Sequence, residues 1–342
     1  MSAALPRVAV VGAATLIGEA VIAEIAARKL ACLELHALDD QRDIGRRVAS
    51  EEGTEIEIAE VGSFDFARAD LVIFCGRAAL SERYARAAAD RAWVIDASST
   101  FRAHADVPLI AADVNGGLLE GMRGERGLIA LPGSASVALA TVLAPLAQAA
   151  GLERVDVATY QAVSGSGRVG VDELARETVA LLSGKSARGR AFGRQIAFNV
   201  IPQVEPFDAD GISRQERSLW EETRRLLGLP RLAVNATAVR VPVFFGHSLA
   251  VHALLERPLA APAAREVLQR GKGIAVLDLD ASAEIPTPAT LAMAPDRVYV
   301  GRIRADLTRD RALNFWVVAD NVRKCAAHNA VSVAQILVNS AR

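Results

Sequence analysis

The stretch that decides the fold is Arg7-Val8-Ala9-Val10-Val11-Gly12-Ala13-Ala14-Thr15-Leu16-Ile17-Gly18, near the start of a chain of 342 residues. After Arg7, the next four residues are apolar and three of them are valines, residues 12 to 18 predict a turn, and residues 19 to 29 carry apolar side chains at helical spacing. In this order of strand, loop and helix, the backbone N–H groups at the helix start face an anion. The stretch therefore predicts the first unit of a parallel α/β sheet with an anion site.

The same unit recurs in the first third of the chain. Short buried strands are predicted over residues 33 to 38, 71 to 74 and 93 to 95, with an alanine-rich helix over residues 79 to 92. This alternation predicts a Rossmann-like, doubly wound parallel sheet. Residues 127 to 152 carry no charge, but Pro132, Gly133 and Pro145 interrupt them, which favours a buried strand and helix over a membrane span.

From residue 155 onward the predicted strands are longer, and several are joined by short turns. They fall over residues 155 to 162, 236 to 244, 248 to 255, 298 to 304 and 312 to 318. Helices over residues 171 to 182, 213 to 227 and 261 to 269 are expected to cover one face of the resulting antiparallel or mixed sheet. The pattern predicts a second, α+β domain, followed by an apolar helix over residues 321 to 339.

Charge and cysteine usage restrict the function classes. Lys and Arg number 39 against 40 Asp and Glu, so the net charge of -1 gives no general attraction to nucleic acid or to a membrane surface. The three cysteines have no metal-ligand spacing and favour a reducing compartment, and no signal-peptide pattern opens the chain. A cytoplasmic protein is expected, without a bound metal.

Three further stretches carry chemistry: Tyr160-Gln161-Ala162-Val163-Ser164-Gly165-Ser166-Gly167, Arg240-Val241-Pro242-Val243-Phe244-Phe245-Gly246-His247-Ser248 and Asp320-Asn321-Val322-Arg323-Lys324. The second stretch places Arg240, which can bind an anion, and His247, which can act as a base, near opposite ends of an apolar segment that contains a proline. With these stretches the chain resembles the aspartate-semialdehyde dehydrogenase family along nearly its whole length. The resemblance implies a dinucleotide-binding domain over residues 1–131 with a returning helix over 321–342, a catalytic-like and dimerisation domain over 132–320, and a homodimer.

The resemblance also implies roles for individual residues. Ser134 stands at the nucleophile position, Gln161 and His247 at the other catalytic positions, and Arg102 and Arg240 at the positions that bind phosphate and the substrate carboxylate. A small carboxylate or phosphate is therefore the expected ligand. NAD or NADP would be contacted by Gly12, Ala14, Thr15, Leu16, Ile17, Asp39, Cys75, Ser164, Gly165 and Asn321.

The chain departs from the family where the reaction takes place. A cysteine follows a Pro-Asn pair in the family, whereas this chain reads Pro132-Gly133-Ser134, and the family's Glu-x-x-Lys substrate pair appears as Gln215 and Ser218. A hydroxyl is far harder to ionise than a thiol, and an oxygen ester is a poor partner for phosphate and for hydride. These changes predict a pseudoenzyme in which phosphorylating aldehyde oxidation is lost or very weak.

The cofactor positions depart from the family as well. Thr15 replaces the middle glycine of the loop and is expected to narrow the backbone's approach to phosphate. Asp39 and Asp40 stand where an acidic side chain accepts from a ribose 2'-hydroxyl, which favours NAD, although Arg42, Arg46 and Arg47 could still reach a phosphate. The alternatives are a strand-helix turn that binds nothing at residues 12 to 18 and a solvated turn of mixed charge after the second strand.

Two other functions stay open at this point. One is an active NAD(P)-dependent oxidoreductase that acts on another small carbonyl substrate by noncovalent hydride transfer. The other is a non-catalytic, dimerising partner protein. Each retained polar residue also has a structural alternative: an ion pair for Arg102 and Arg240, a satisfied histidine at a strand turn for His247, and a hydrogen-bonded core amide for Gln161. For Cys75, the expected role is that of a small buried hydrophobe.

Overall fold

The computed structural model describes residues 6–28, 32–49, 55–122, 126–277, 285–292 and 294–340. Backbone contacts divide the chain into two compact units, one of residues 1–132 with 326–342 and one of residues 133–325. The division assigns the last helix to the first unit, so that the chain leaves this unit once and returns to it.

The first unit is built on a sheet with β1 near its centre. Its strands are β1 Arg7–Val11, β2 Glu34–Asp39, β3 Arg47–Ala49, β4 Glu55–Glu57, β5 Ala59–Glu60, β6 Leu71–Phe74, β7 Trp93–Asp96 and β8 Leu128–Ala130, and its helices are α1 Leu16–Ala27, α2 Ala78–Ala89 and the final α7 Asn329–Ser340. The sheet order is β5-β2-β1-β6-β7-β8 with every neighbouring pair parallel, and β3 pairs separately with β4. The chain order reverses across β1, which is where such sheets bind ligands.

Hydrophobic burial holds helix α7 in this unit. Ala330, Val331, Ala334 and Leu337 lie at helical spacing and join the same core as β1 and α1. Asn329 fixes the start of the helix, because its side chain accepts from the Ala112 N–H at 2.8 Å and is buried.

The second unit contains a six-stranded mixed sheet. Its elements are α3 Ser134–Ala150, β9 Arg154–Gln161, α4 Arg168–Leu182, α5 Arg214–Leu227, β10 Ala233–Arg240, β11 His247–Leu254, α6 Ala261–Gln269, β12 Ile274–Val276, β13 Val298–Ala305 and β14 Ala312–Ala319. The order is β10-β9-β11-β14-β13-β12, parallel for β10 with β9 and for β12 with β13, and antiparallel elsewhere. The predicted fold class, a Rossmann-like domain followed by a domain with a mixed sheet, is confirmed.

Three details of the prediction are wrong. The strand expected over residues 236 to 244 ends at Arg240, because Pro242 has no N–H for a ladder. The helix expected from residue 321 is a π-helix over Arg323–His328 and becomes α-helical only at Asn329, and the Asp320 carboxylate, which accepts from the N–H groups of Val322 and Arg323, holds a turn before it. The sheet is covered by α3, α5 and α6, whereas α4 packs into a separate apolar cluster.

The uncharged residues 127 to 152 form β8 and α3, separated by a short link. In the part of the chain that the structure describes, no helix is both long enough and apolar enough to cross a bilayer.

Two glycines with the same backbone conformation allow a matched test of how closely the chain packs at the end of β1. Gly12 has φ +81° and a Cβ there would lie 2.4 Å from the Cys75 carbonyl oxygen, whereas Gly45 has φ +80° with nothing within 4 Å. We expect Gly45→Ala to lower the free energy of unfolding by about 1–2 kcal/mol from the left-handed conformation alone. Gly12→Ala should cost at least about 2 kcal/mol more, because backbone must move.

Denaturant unfolding of the two variants beside the unsubstituted chain measures the difference. Equal losses of stability would contradict the close packing at Gly12.

Candidate active site

The loop after β1 is held by backbone hydrogen bonds to the next strand. The N–H groups of Gly12 and Ala13 donate to the Leu38 carbonyl at 2.8 and 3.1 Å. A Cβ on Gly18 would lie 2.2 Å from the Gly12 carbonyl oxygen, so both glycines are required by the space around them. The loop therefore turns tightly and presents the first turn of α1 at its open side.

Thr15 uses its hydroxyl inside this loop. The hydroxyl accepts from the Gly18 N–H at 3.0 Å as the N-cap of α1, and it donates to the Gly12 carbonyl at 2.8 Å. The N–H groups of Thr15 and Glu19 have partners within the loop and first turn. The remaining donors of that turn, Leu16 and Ile17, meet no acceptor among the described residues, so a phosphate would bind there.

Asp39 lies at the end of β2 but is sealed from solvent. One carboxylate oxygen accepts from the Ala14 N–H at 3.0 Å and the other from the Asp40 N–H at 2.9 Å. The side chain is 0% exposed, and burial raises the pKa of its carboxyl. The residue predicted to hold a ribose hydroxyl is thus engaged by the protein itself.

Cys75 contributes only its backbone to this loop. Its thiol is 1% exposed within the core of the first unit, and burial raises its pKa, so it stays protonated. The carbonyl group of Cys75 faces Gly12 and accepts from the Thr15 hydroxyl at 3.2 Å. The side chain is accordingly a small buried hydrophobe.

Arg102 is bound to strand-end carbonyls of the first unit. Its Nε donates to the Leu131 carbonyl at 2.9 Å and one terminal nitrogen donates to the Ala97 carbonyl at 3.3 Å. The side chain remains partly exposed, so it links two strand ends while keeping a face toward solvent.

In the second unit, three predicted residues meet at one end of three neighbouring strands. Gln161 ends β9, Arg240 ends β10 directly beside it in parallel register, and His247 begins the antiparallel strand β11 on the other side. Each is at most 5% exposed. A Cβ on Gly165 would lie 2.8 Å from an Arg240 terminal nitrogen and 3.5 Å from His247 Nε2. The loop after β9 therefore packs closely against both Arg240 and His247.

The backbone fixes the tautomer of His247. The Ala162 N–H lies 3.2 Å from His247 Nδ1, and because an amide can only donate, Nδ1 is the unprotonated nitrogen. The neutral ring therefore carries its proton on Nε2, on the side of Gly165 and Arg240. Burial, and then the charge of Arg240, lower the pKa of His247 to about 3. At neutral pH this imidazole offers a donor toward the site, not a base.

Arg240 is a buried cation with spare donors. One terminal nitrogen donates to the Ala162 carbonyl at 2.7 Å, and the guanidinium lies 5.7 Å from the centre of the Phe192 ring. Burial lowers its pKa to about 10, partly offset by the charge of Glu205, so the group remains charged at neutral pH. Its Nε has no hydrogen-bond partner in the described part of the chain, which leaves it able to bind an incoming anion.

Ser164 and Asn321 bind each other. The Asn321 amide donates to the Ser164 hydroxyl at 3.0 Å, and its oxygen accepts from the Gly246 N–H at the same distance. Both side chains are buried. In this arrangement the pair holds the residue that precedes His247, and so orients the ring.

Ser134 is the first residue of α3 and is partly exposed. The N-cap position before it is Gly133, which has no side chain, and its N–H donates instead to the Glu222 carboxylate at 2.7 Å. Glu222 is 3% exposed, and its other oxygen has no partner among the described residues. A buried anion therefore takes up a backbone donor directly beside position 134.

The cysteines offer no substitute nucleophile. Cys325 is 1% exposed, and burial raises its pKa to about 12. A thiol acts as a nucleophile only as the thiolate, which this environment disfavours.

Sequence reasoning missed two residues of these groups, Arg77 and Glu222. Glu222 lies on the buried face of α5 with Leu219, Thr223 and Leu226, so a carboxylate at an apolar helical position was the available signal. Arg77 follows the end of β6. In the sheet, β6 lies beside β1, and β1 lies beside β2, which ends at Asp39. The rule that parallel strand ends meet at one edge could have paired them.

Comparison with known proteins agrees with this architecture. The family model described as "Semialdehyde dehydrogenase, NAD binding domain" matches residues 7–121, and the one described as "Semialdehyde dehydrogenase, dimerisation domain" matches residues 143–324. A nucleotide-binding domain followed by a dimerisation domain is thus the class of protein that the fold defines.

Individual relatives cover almost the whole chain. The aspartate-semialdehyde dehydrogenase of Legionella pneumophila is 39% identical over 334 residues, 97% of this chain and 95% of that protein. The crystal structure of aspartate semialdehyde dehydrogenase II of Vibrio cholerae complexed with ASA has a TM-score of 0.93 at 37% identity, covering 98% of both chains. The enzyme of Aquifex aeolicus is 36% identical over 335 residues, 97% of this chain and 98% of that protein. The chain belongs to the aspartate-semialdehyde dehydrogenase family.

The depressed pKa of His247 predicts a loss of stability in acid. The folded-state pKa of about 3 lies below the ordinary value of 6.5, so the unfolded chain binds a proton between these values and the folded chain does not. The contribution of His247 to the free energy of unfolding is fully present above about pH 6.5. It decreases by up to about 1.4 kcal/mol per pH unit as the pH falls toward 3.

Denaturant unfolding between pH 7 and 4 measures the effect, and His247→Gln should flatten the dependence. An imidazole signal of His247 that titrates above pH 5.5 in NMR would contradict the assigned burial.

Proposed function

We propose that this chain is a member of the family in which phosphorylating dehydrogenase activity is lost or very weak. Two features together carry the proposal. Position 134 bears a hydroxyl group, and the Nε2 nitrogen of His247, which faces Gly165 and Arg240, already bears a proton. The family reaction needs a thiolate that attacks an aldehyde and a base that accepts its proton. Neither requirement is met by the groups at these positions.

The surroundings of Ser134 oppose its activation. An alkoxide at the start of a helix is stabilised by free N–H groups and by the helix dipole. Here the Gly133 N–H is taken by Glu222, whose buried negative charge disfavours a second anion nearby. Gln215 and Ser218 replace the charged substrate pair, which supports the loss of aspartyl chemistry in particular.

The anion-binding groups support a small carboxylate or phosphate ligand. Arg240 remains a cation in a water-poor setting with donors to spare, which suits a carboxylate held from one side. Arg102, partly exposed, is the corresponding candidate for phosphate. Ligand binding and catalysis are separable properties, and these two residues bear on binding.

The glycine loop fits the diphosphate of a dinucleotide. Its two required glycines and the N–H groups of Leu16 and Ile17 form a cradle that side chains would fill. When bound, NAD or NADP supplies a hydride acceptor or donor. The acidic end of β2 favours NAD, since carboxylates repel a 2'-phosphate.

A second candidate function has one observation in its favour. The Nε2–H group of a neutral His247 can donate a hydrogen bond to a carbonyl oxygen and so polarise the carbonyl for a noncovalent hydride transfer from the reduced cofactor, with the proton for the resulting alkoxide taken from water. Cofactor-dependent turnover of a panel of small aldehydes in phosphate-free buffer, abolished in His247→Ala, would favour this function over a pseudoenzyme.

An assay with restoration of the thiol tests the first proposal. With aspartate semialdehyde, phosphate and either NAD or NADP, we expect turnover at least about 100-fold below that of a thiol-bearing relative, since the covalent adduct cannot form. Ser134→Cys should raise turnover only slightly, because Glu222 and the protonated Nε2 remain. Ser134→Ala is the matched control and should leave any residual rate unchanged.

Turnover of the unsubstituted chain within tenfold of the relative would contradict the proposal. A fall in rate on Ser134→Ala would show that the hydroxyl takes part in the reaction.

We propose a cytoplasmic homodimer formed through the second unit, which matches a dimerisation domain. One face of its sheet packs on helices, and the other carries a groove of about 500 Å³. Tyr160 and Trp316 lie in this groove with ring centres 5.4 Å apart, and Asp156 and His252 lie beside them. Aromatic groups with a polar rim are typical of protein interfaces. The cytoplasmic location is supported by the three unpaired cysteines.

A charge in the centre of this face should separate the subunits. Ala158 lies on β9 within the groove, so Ala158→Arg buries an unpaired cation in a dimer and should give monomers by light scattering at micromolar concentration. Leu33→Arg, at a 63% exposed position of the first unit, is the control and should remain dimeric. A monomeric unsubstituted chain, or a dimeric Ala158→Arg variant, would contradict this interface.

A further inference from the structure

The guanidinium of Arg77 joins three carboxylates at the ends of two parallel strands. Its Nε lies 3.0 Å from an Asp39 oxygen, one terminal nitrogen donates to Asp40 at 3.1 Å, and the other donates to Asp43. The three carboxylates have oxygens within 4.8 Å of one another, an arrangement that often marks a cation site. The cation among them is the Arg77 side chain itself.

This cluster covers the acceptor that a ribose would need. In dinucleotide-binding sheets, an acidic side chain at the end of the second strand accepts from the ribose 2'-hydroxyl beside the glycine loop. Asp39 occupies that position, as its hydrogen bond from Ala14 shows, but it is 0% exposed, and Arg77 lies against its other oxygen, which also accepts from the Asp40 N–H. Arg77 is one quarter exposed and forms the outer surface of the cluster.

We infer that Arg77 competes with the adenosine ribose of a dinucleotide for Asp39, and so sets both the affinity and the selectivity of the cofactor cleft. The inference rests on the dinucleotide cleft of the proposed function. For a ribose diol to reach Asp39, the guanidinium must leave three clustered carboxylates, which then repel one another in a partly buried place. The affinity of the cleft for NAD is therefore low while Arg77 is present.

The same cluster accounts for selectivity against a 2'-phosphate. The neighbouring arginines are already paired, Arg42 with Asp40 and Arg46 with Asp43, at 2.6 Å in each case. A phosphate would have to displace these carboxylates from their arginines and would approach three negative charges. Removing Arg77 frees Asp39 for a hydroxyl but makes the position more hostile to phosphate.

Equilibrium binding of NADH and NADPH, measured by calorimetry, tests this role without reference to turnover. Arg77→Ala should bind NADH at least tenfold more tightly than the unsubstituted chain, while its affinity for NADPH should fall, because the three carboxylates then repel the 2'-phosphate more strongly. Arg46→Ala is the matched control, because it removes an arginine that pairs with Asp43 at the rim, and it should change neither affinity by more than twofold.

Arg77→Ala leaves Asp39 without an arginine partner and removes the cation shared by three mutually repelling carboxylates, so thermal unfolding of each variant accompanies the titrations. The combination of Arg77→Ala with Asp43→Asn relieves this repulsion and should show the same gain for NADH.

The outcomes separate this inference from the proposal beneath it. A folded Arg77→Ala variant that binds NADH as the unsubstituted chain does, or more weakly, overturns the role of Arg77 and leaves the dinucleotide cleft in place. Failure of every folded variant to bind either cofactor at millimolar concentration removes the cleft and this inference together.

Discussion

The first unit depends on the approach of three parallel strand ends to one glycine. The Gly12 N–H binds the end of β2 through the Leu38 carbonyl, and the Gly12 α-carbon lies against the Cys75 carbonyl that follows β6. A side chain at residue 12 would separate these strands. Because the approach is fixed by backbone, the residues that follow each strand are delivered to one edge regardless of their identity, and Asp39 and Arg77 meet there as a result.

In both units, polar side chains at positions that bind ligands in the family form hydrogen bonds or ion pairs within the chain instead. Asp39 receives N–H groups and a guanidinium, Nδ1 of His247 receives a backbone amide, and Asn321 binds Ser164 and Gly246. A buried polar group must be satisfied, and an internal partner that is always present competes with a ligand that is not. Retention of a residue type at a family position is therefore a weaker indication of function than a free atom at that position.

The sequence allowed the fold to be predicted because burial leaves a local pattern. Strands β1 and β6 were predicted to the residue, since each is a continuous apolar run bounded by turn residues. Errors arose where one side chain acts on the backbone, as at Pro242 after β10 and at Asp320 before α7. Such effects depend on single atoms and not on periodicity.

The residues of the candidate site could be predicted from the sequence, but the hydrogen bonds and ion pairs between them could not. The pairs that determine its chemistry join positions far apart in the chain: Arg77 with Asp43 across 34 residues, His247 with Ala162 across 85, and Glu222 with Gly133 across 89. No local pattern encodes such a pairing. The tautomer of His247, in particular, follows from the amide of Ala162, the residue directly after β9, which the pairing of β9 with β11 brings to the ring.

The state of His247 also limits what a bound substrate could restore. Two causes lower the pKa of its imidazole, and burial is the larger, with the charge of Arg240 second. A ligand carboxylate on Arg240 would cancel the second cause, but it would also exclude water and leave the first in force. The ring would remain neutral, with Nδ1 held by the Ala162 amide and the proton on Nε2. Recovery of a general base at this position therefore requires a change in the backbone partner of the ring and not merely a better-fitting substrate.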